Sequence, residues 1–262
     1  MSDLHNPGDL AVSVQKLGLT YRTTLDRRAT LKSRVRSLSR GKKTTRLVRA
    51  LDDLNLDIAY GTVLGVVGAN GAGKSTLMRV ISGILPPSQG RVEVYGKVST
   101  LLALGIGFNP ELTGRENVTL GGLASGLTRN EIDEHFEEIA AFAELGDAID
   151  APMRTYSSGM YARLGFAVAV TVKPDILIVD EALSTGDARF KEKSLNKIKE
   201  MRSESRALIL VSHALGTIRE VCNETAWLHK GKLIQRGNPD DVINSYQDFL
   251  AVGKSAVINE DV

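Results

Sequence analysis

Residues 62–82 read TVLGVVGANGAGKSTLMRVIS and carry the clearest local signal in the chain. The apolar run Thr62–Gly68 is typical of a buried strand, and the residues after Lys74 are typical of a helix. Between them, Gly68–Ser75 has the spacing G-x-x-x-x-G-K-[ST], which marks a phosphate-binding loop when a strand precedes it and a helix follows. The sequence therefore predicts a nucleotide-phosphate site on an α/β sheet.

The residue types of this loop fit that chemistry. Glycines let backbone N–H groups converge on phosphate oxygens, and the N-terminus of the following helix adds a favourable dipole. We expect Lys74 to reach the β- and γ-phosphates and Ser75 to bind Mg²⁺. The residues predicted to hold the nucleotide here are Gly68, Asn70, Gly71, Ala72, Gly73, Lys74, Ser75 and Thr76.

Polar residues also follow two other apolar runs. Asp180 and Glu181 come directly after Ile176–Val179, and His213 follows the run ALILVS. The carboxyl ends of strands in open α/β sheets are where ligands bind. Asp180 therefore suits a Mg²⁺ ligand and Glu181 a group that polarises the attacking water. A solvated acidic turn and an ordinary surface or core histidine are the alternatives.

Strand-like and helix-like segments alternate along the chain, which predicts an α/β domain with a largely parallel sheet. Two strand candidates, Ala11–Val14 and Leu51–Ile58, precede the phosphate loop. Thr128 with Glu131 has the pattern of a capping box at the start of a helix. From about Gly253 the chain has the composition of a loose tail.

The composition excludes several classes of protein. The chain has 262 residues, of which 42% are hydrophobic and one is cysteine, so neither a disordered chain nor a disulfide framework is expected. The longest strongly apolar run, Leu164–Val172, is too short to span a bilayer. The N-terminus lacks the pattern of a signal peptide. These features predict a soluble, cytoplasmic protein.

Charge is distributed unevenly. The segment from Arg22 to Arg49 holds eleven Arg and Lys residues and one acid, Asp26, so it carries +10 while the whole chain carries +2. Such asymmetry is typical of a surface for an anionic partner. Leu31, Val35 and Leu38 have helical spacing. A solvated basic loop, a membrane-facing helix and a nucleic-acid site all remain open, although no aromatic residue in the segment offers a stacking platform.

Taken in order, these motifs resemble the nucleotide-binding subunit of ABC transporters, from about Ala11 to Gln247. Gly68–Ser75 matches the Walker A loop and Ile176–Asp180 matches Walker B. Tyr156–Met160, which reads YSSGM, lies where the family signature is found. The remaining matches are Arg163 after the signature, Glu181 as catalytic glutamate, Ser184–Asp187 as the loop that crosses the dimer interface, and His213 as the switch histidine.

The resemblance implies a P-loop NTPase fold with a RecA-like core sheet, an N-terminal antiparallel β part and a helical subdomain that carries the signature. The whole chain, 1–262, would be one nucleotide-binding domain. Within it we expect a basic insertion at about 22–49, a helical subdomain at about 108–165 and a loose tail at about 253–262.

The resemblance also implies a mechanism. Two copies would pair head to tail with Mg²⁺ and ATP between them, beside a separate polytopic membrane permease. Tyr21 would stack on adenine, and Lys74, Glu181 and His213 would serve catalysis. The residues implied to contact the nucleotide of the other copy are Ser157, Ser158, Gly159 and Asp187.

Two departures narrow the subfamily. The signature is YSSGM rather than LSGGQ, and the position at or near Leu104, where the family offers Gln to Mg²⁺, has no Gln. The stretch LLALGIGFNPELTGREN is similar to the branch that exports lipid-linked polysaccharides such as O-antigen, teichoic acid and galactan. This predicts an ATPase at the cytoplasmic face of the membrane, on a chain too short for an appended carbohydrate-binding domain.

Other functions stay open at this point. ABC ATPases for another transported lipid, drug or ion share the same motifs, and so does an ATP-binding regulator without turnover. A soluble ATPase that acts on nucleic acid or ribosomes is less consistent, because those commonly hold two nucleotide domains and this chain has a single phosphate-loop motif.

Overall fold

A computed structural model of the chain describes residues 9–25, 44–100, 108–171, 174–180, 188–203 and 207–258. Its strands are β1 (Leu10–Leu25), β2 (Thr44–Ala59), β3 (Val63–Val67), β4 (Gln89–Val94), β5 (Val98–Thr100), β6 (Ile176–Asp180), β7 (Ala207–Val211), β8 (Glu224–His229) and β9 (Lys232–Gly237). Its helices are α1 (Lys74–Ile81), α2 (Gly114–Ala124), α3 (Arg129–Ala143), α4 (Ser158–Thr171), α5 (Ala188–Ser203), α6 (Leu215–Val221) and α7 (Pro239–Ile258).

The strands form two sheets. One has the order β5-β6-β7-β3-β8-β9, in which every neighbouring pair is parallel except β8 with β9. The other is antiparallel, with the order β2-β1-β4. In the larger sheet β3, β7 and residues 176–179 of β6 are apolar and buried, because helices or strands cover both faces. The predicted α/β fold with a core sheet and an N-terminal antiparallel part is confirmed.

Strands β1 and β2 form a hairpin much longer than the sequence predicts. β1 continues past Val14 to Leu25, and β2 begins at Thr44 rather than Leu51, so both ends of the predicted basic insertion are strand. Residues 26–43, with the proposed helical stripe, lie outside the described residues. The buried residues Leu51 and Leu54 of β2 are three positions apart, whereas a regular strand places every second residue on the same face. Asp53, in a left-handed conformation (φ 50°), interrupts the alternation and keeps both leucines buried.

The core is divided among three clusters. One fills the space between the two sheets around α1, and a second packs α5, α6 and α7 against the opposite face of the larger sheet. The third joins α2, α3 and α4 in a helical layer. Helix α4 belongs to two of them, since Leu164 and Ala167 face the helical layer while Phe166, Ala169 and Val170 pack in the second cluster. The helical layer is thereby fixed to the sheet.

The C-terminal end differs from the predicted tail. Helix α7 runs without a break from Pro239 to Ile258, past Gly253 where the sequence predicts a loose segment. A single glycine inside a helix costs only about 1 kcal/mol, and no proline follows it to stop the helix. Across the described ranges, none of the helices combines the length and apolar character needed to cross a bilayer.

Candidate functional site

The glycine-rich loop lies between β3 and α1, as its sequence predicts. Gly73 immediately precedes α1 with φ 107°, a left-handed conformation that favours glycine. A Cβ atom at this position would lie 2.7 Å from the carbonyl oxygen of Ala50 in β2. Gly73 therefore serves two purposes, the turn into the helix and the close approach of β2 to the loop.

A second contact fixes the loop from the other side. The turn between β8 and β9 places Gly231 against it, where the Gly231 N–H donates to the Ala72 carbonyl at 2.9 Å. The Gly231 carbonyl in turn accepts from the N–H of Asp52 in β2 at 3.0 Å. The loop is therefore joined by backbone hydrogen bonds to a segment more than 150 residues away in sequence.

Lys74 is buried beneath this loop. Its Nζ donates to the carbonyl oxygens of Gly68 at 2.6 Å and Ala69 at 3.1 Å. A buried ammonium needs such acceptors, because burying a charge without partners is costly. These bonds hold the cation at the base of the loop, where the motif requires it.

The loop opens on a cleft of about 400 Å³. Most of the predicted nucleotide-binding residues line it: Tyr21, Asn70, Gly71, Ala72, Gly73, Lys74, Ser75, Thr76 and His213. Val48, Arg49, Ala50 and Val211 also line it, although they belong to none of the sequence motifs. The register of the β1–β2 hairpin brings residues 48–50 here, and no local sequence pattern reveals that register.

Tyr21 lies at one side of the cleft on β1. Its register partner is Val48 in β2, and its hydroxyl is 3.4 Å from the Thr76 hydroxyl of α1. An aromatic ring beside a branched apolar side chain suits the flat face of a base. The arrangement places such a surface next to the phosphate loop.

The ends of β6 and β7 lie side by side, with Asp180 paired to Val211. His213 follows β7 by two residues, is exposed and lines the cleft. For Asp180 the structure describes the strand position only. Glu181, Asp187 and the segment around Leu104 lie outside the described residues. Their predicted roles remain predictions.

The donor set suits Mg²⁺. This ion prefers a few oxygen ligands and keeps waters or phosphates for the rest. The Ser75 hydroxyl lines the cleft, and Asp180 ends a strand at the same edge of the sheet. In the described ranges, His, Cys, Asp and Glu side chains nowhere form a group of three or more that could cage a metal by themselves. A site shared with a phosphate is the arrangement that these two residues fit.

The predicted signature turn lies elsewhere on the molecule. Ser157 and Ser158 are exposed, α4 begins at Ser158, and the Ser157 hydroxyl accepts from the Met160 N–H at 3.2 Å. None of Ser157, Ser158 and Gly159 is part of the described cleft lining. Before the turn, the Tyr156 hydroxyl donates to the Ala148 carbonyl at 2.6 Å, and burial raises the pKa of this phenol.

Sequence reasoning missed a buried asparagine that organises the entrance to α2. Asn117 is fully buried; its Oδ1 accepts from the Asn109 N–H at 2.6 Å, and its Nδ2 donates to the carbonyls of Asn109, Leu112 and Thr113. One side chain therefore bonds four backbone groups of the loop 109–113. An asparagine after a proline-containing loop is the signal that could have indicated this role.

A largely parallel sheet, a glycine-rich loop with a buried lysine and a helical layer that presents an exposed serine turn define a P-loop NTPase fold of the ATP-binding cassette type. Residues 51–184, about half of the chain, match the family model described as ABC transporter. The chain belongs to the ABC transporter family.

Relatives of known name extend this result. The chain is 43% identical over 237 residues to the O-antigen export system ATP-binding protein RfbB of Myxococcus xanthus, covering 89% of this chain and 54% of that protein. It is 46% identical over 200 residues to the teichoic acids export ATP-binding protein TagH of Levilactobacillus brevis, covering 76% of this chain and 55% of that protein. The chain thus spans just over half the length of these two relatives.

Among solved structures, a dimeric ATP-binding cassette in a post-hydrolysis state bound to ADP and Pi superposes with a TM-score of 0.69 at 21% identity. The match covers 87% of this chain and 98% of that one. At this identity the likeness establishes the fold.

Proposed function

We propose that this chain is the ATP-hydrolysing subunit that powers export of a lipid-linked polysaccharide across the cytoplasmic membrane, together with a separate membrane subunit. The observation that carries the ATPase part is the cleft in which Tyr21, Lys74, Ser75 and His213 meet. The polysaccharide is supported by the names of relatives that export O-antigen and teichoic acids. The proposed location is the cytoplasmic face of that membrane.

In this proposal the base stacks on Tyr21 beside Val48. The N–H groups of the loop and the ammonium of Lys74 bind the β- and γ-phosphates, and His213 contacts the γ-phosphate from the end of β7. Glu181, by its position after β6, accepts the proton of the water that attacks the γ-phosphorus as ADP leaves. Mg²⁺, held by Ser75 and Asp180, would neutralise charge on the phosphates.

A second copy completes the site in this proposal. The exposed turn of Ser157, Ser158 and Gly159 begins α4, so its N–H groups and hydroxyls are available to the γ-phosphate of a facing copy. A turn that is separate from its own chain's cleft is what a head-to-tail pair requires. Asp187 would lie at the same interface. Hydrolysis would then be coupled to closing and opening of the pair.

The basic segment between Arg22 and Arg49 supports a membrane-side partner. Its excess of positive charge suits anionic lipid head groups or the pyrophosphate of a lipid-linked glycan, at about 1 kcal/mol for each Lys or Arg near such a surface. The same charge would steer the subunit toward the permease. Nucleic acid is not the partner that we propose.

Lys74→Ala tests the function at two levels. With purified protein we expect ATP hydrolysis to fall by about 10²- to 10³-fold, because the variant removes a preorganised cation from the γ-phosphate. In cells that carry only this variant, lipid-linked polysaccharide should accumulate at the cytoplasmic side. Lys191→Ala, on the exposed side of α5, is the matched control.

The two readouts separate the parts of the proposal. Unchanged hydrolysis in Lys74→Ala would contradict the ATPase assignment. If hydrolysis is lost but no lipid-linked polymer accumulates, the ATPase assignment stands and the transported substrate is a different one.

A further inference from the structure

Arg49 lies in the wall of the cleft, between its two ends. Its neighbour Val48 pairs with Tyr21 at the aromatic end. Its other neighbour, Ala50, brings its carbonyl against Gly73 at the phosphate-loop end, where a Cβ atom would be 2.7 Å away. Arg49 itself lines the cleft. Along β2, its position is therefore between the base-stacking surface and the phosphate loop.

The Arg49 side chain forms an exposed ion pair with Asp52. Its Nη1 is 2.9 Å from Asp52 Oδ1, in a pair whose side chains are 62% and 28% exposed. Such exposed pairs contribute little to stability, since water solvates both ions. Moving the Arg49 guanidinium away from Asp52 therefore costs little free energy.

Asp52 also has a second cation. Lys232 places its Nζ 3.3 Å from Asp52 Oδ2, on the oxygen that Arg49 does not use. If the guanidinium moves away, the carboxylate keeps an ionic partner. Asp52 therefore does not become an unpaired anion when Arg49 moves, because Lys232 remains beside it.

The charge of Arg49 is suited to a phosphate. Among the cleft-lining residues in the described ranges, Lys74 and Arg49 carry the permanent positive charges. Lys74 is buried under the loop, whereas Arg49 is at the rim. A guanidinium binds phosphate oxygens through strong, charge-assisted hydrogen bonds. A nucleotide with its base on Tyr21 and its outer phosphates at Lys74 has its ribose and α-phosphate between them.

We propose that Arg49 is a nucleotide-binding residue that leaves Asp52 to bind the α-phosphate. The inference rests on the placement of the nucleotide proposed above. It removes Arg49 from the set of basic residues available to a membrane partner and assigns it to the ATP site.

Arg49→Gln tests the assignment, with binding of ATP, ADP and adenosine to the purified chain measured by titration calorimetry. We expect the Kd of ATP and of ADP to rise by a similar factor, about 5- to 30-fold, because both carry an α-phosphate. Adenosine binding should not change. The difference from the unmodified protein should shrink at high salt, since the contact is partly exposed.

Two further variants make the result decisive. Arg46→Gln, on the same strand and also exposed, should bind ATP normally. If its affinity falls as much as that of Arg49→Gln, the effect comes from the overall positive charge of the hairpin, and the assignment is overturned. Asp52→Asn should bind ATP as well as or better than the unmodified protein, because it releases Arg49. Weakened binding there would mean that the ion pair acts only by shaping β2, and would also overturn it.

Lys74→Ala separates this inference from the proposed function. If Lys74→Ala loses ATP binding while Arg49→Gln keeps the normal Kd, the nucleotide site stands and the role of Arg49 is refuted. If Lys74→Ala binds ATP normally, the placement of the nucleotide itself is wrong. A loss for ATP alone in Arg49→Gln, with ADP unaffected, would assign the contact to the γ-phosphate and refute the α-phosphate assignment.

Discussion

At the scale of single residues, the phosphate loop depends on how closely other backbone segments approach it. Gly73 and Gly231 both lie close to Ala50: a Cβ atom would be 2.7 Å from the Ala50 carbonyl oxygen at Gly73 and 2.6 Å from it at Gly231. Both also have positive φ angles. Any side chain at these positions would separate β2 from the loop or strain the backbone. The glycines therefore set the distance between the loop and the wall of the cleft that holds Tyr21 and Arg49.

Gly73→Ala should accordingly lower both stability and nucleotide affinity. Strain at a left-handed position and the clash with Ala50 predict a loss of about 1–3 kcal/mol in the free energy of unfolding. Urea unfolding and ATP titration would measure the two effects. Gly216→Ala is the control, because a Cβ at Gly216 meets no atom within 4 Å and lies in helix α6. Equal behaviour of the two variants would contradict this account of the loop.

At the scale of elements, two helices of the helical layer begin with the same device. Thr113 and Thr128 precede α2 and α3, and each donates from its N–H and hydroxyl to a glutamate three residues on, Glu116 and Glu131. These hydrogen bonds lower the pKa of both carboxyl groups. The glutamate N–H donates back to the threonine hydroxyl, at 3.2 Å in α2 and 3.3 Å in α3. Each helix start is thus satisfied locally.

A lowered pKa in the folded state makes these caps sensitive to acid. The unfolded chain takes up protons first as pH falls below the ordinary glutamate value of 4.5, so the stabilisation is present above that pH and is lost below it. In the double variant Glu116→Gln and Glu131→Gln, each side chain keeps an oxygen that accepts the threonine hydrogen bonds but no longer takes up a proton. Between pH 6 and pH 3.5 we expect it to lose less unfolding free energy in urea than the unmodified protein.

Glu134→Gln, on the exposed face of α3, is the reference for this comparison. If it flattens the acid dependence as much as the double variant does, the effect belongs to net charge and not to the caps.

The limits of sequence prediction also follow from the elements. The loop at Gly68–Ser75, the strands β3, β6 and β7 and the capping box at Thr128 could be predicted, because each depends on residues adjacent in sequence. The extent of the β1–β2 hairpin could not, because its pairing of Tyr21 with Val48 joins residues on either side of an insertion. The wall of the cleft at Val48, Arg49 and Ala50 depends on that register, and for this reason it could not be predicted from local sequence.

At the scale of the whole molecule, the cleft and the exposed serine turn lie on separate surfaces of one chain, and we propose that they are the two halves of a nucleotide site. The cleft lies at the carboxyl edge of the larger sheet, and the serine turn begins α4 in the helical layer. The described cleft lining contains no residue of that turn. A head-to-tail pair would join the cleft of each copy to the turn of the other.

Subunit complementation tests this arrangement. Lys74→Ala disables the cleft, and Gly159→Asp places a negative charge and added bulk on the turn. Aspartate is favourable near a helix N-terminus, so the fold should be retained. Each variant alone should be inactive, whereas in a 1:1 mixture about half of randomly formed pairs are mixed and keep one intact site. We expect about a quarter of the normal ATP hydrolysis; none at all would contradict head-to-tail pairing.

The position of α4 in two cores has a mechanical consequence. Its 14 residues form one rod about 21 Å long. Phe166, Ala169 and Val170 pack the far end against the sheet, while Ser158 at the near end is exposed. Tilting such a rod by about 10° about these packed residues displaces Ser158 by about 2–3 Å. A small rotation at the sheet is thereby amplified into the distance that makes or breaks a hydrogen bond.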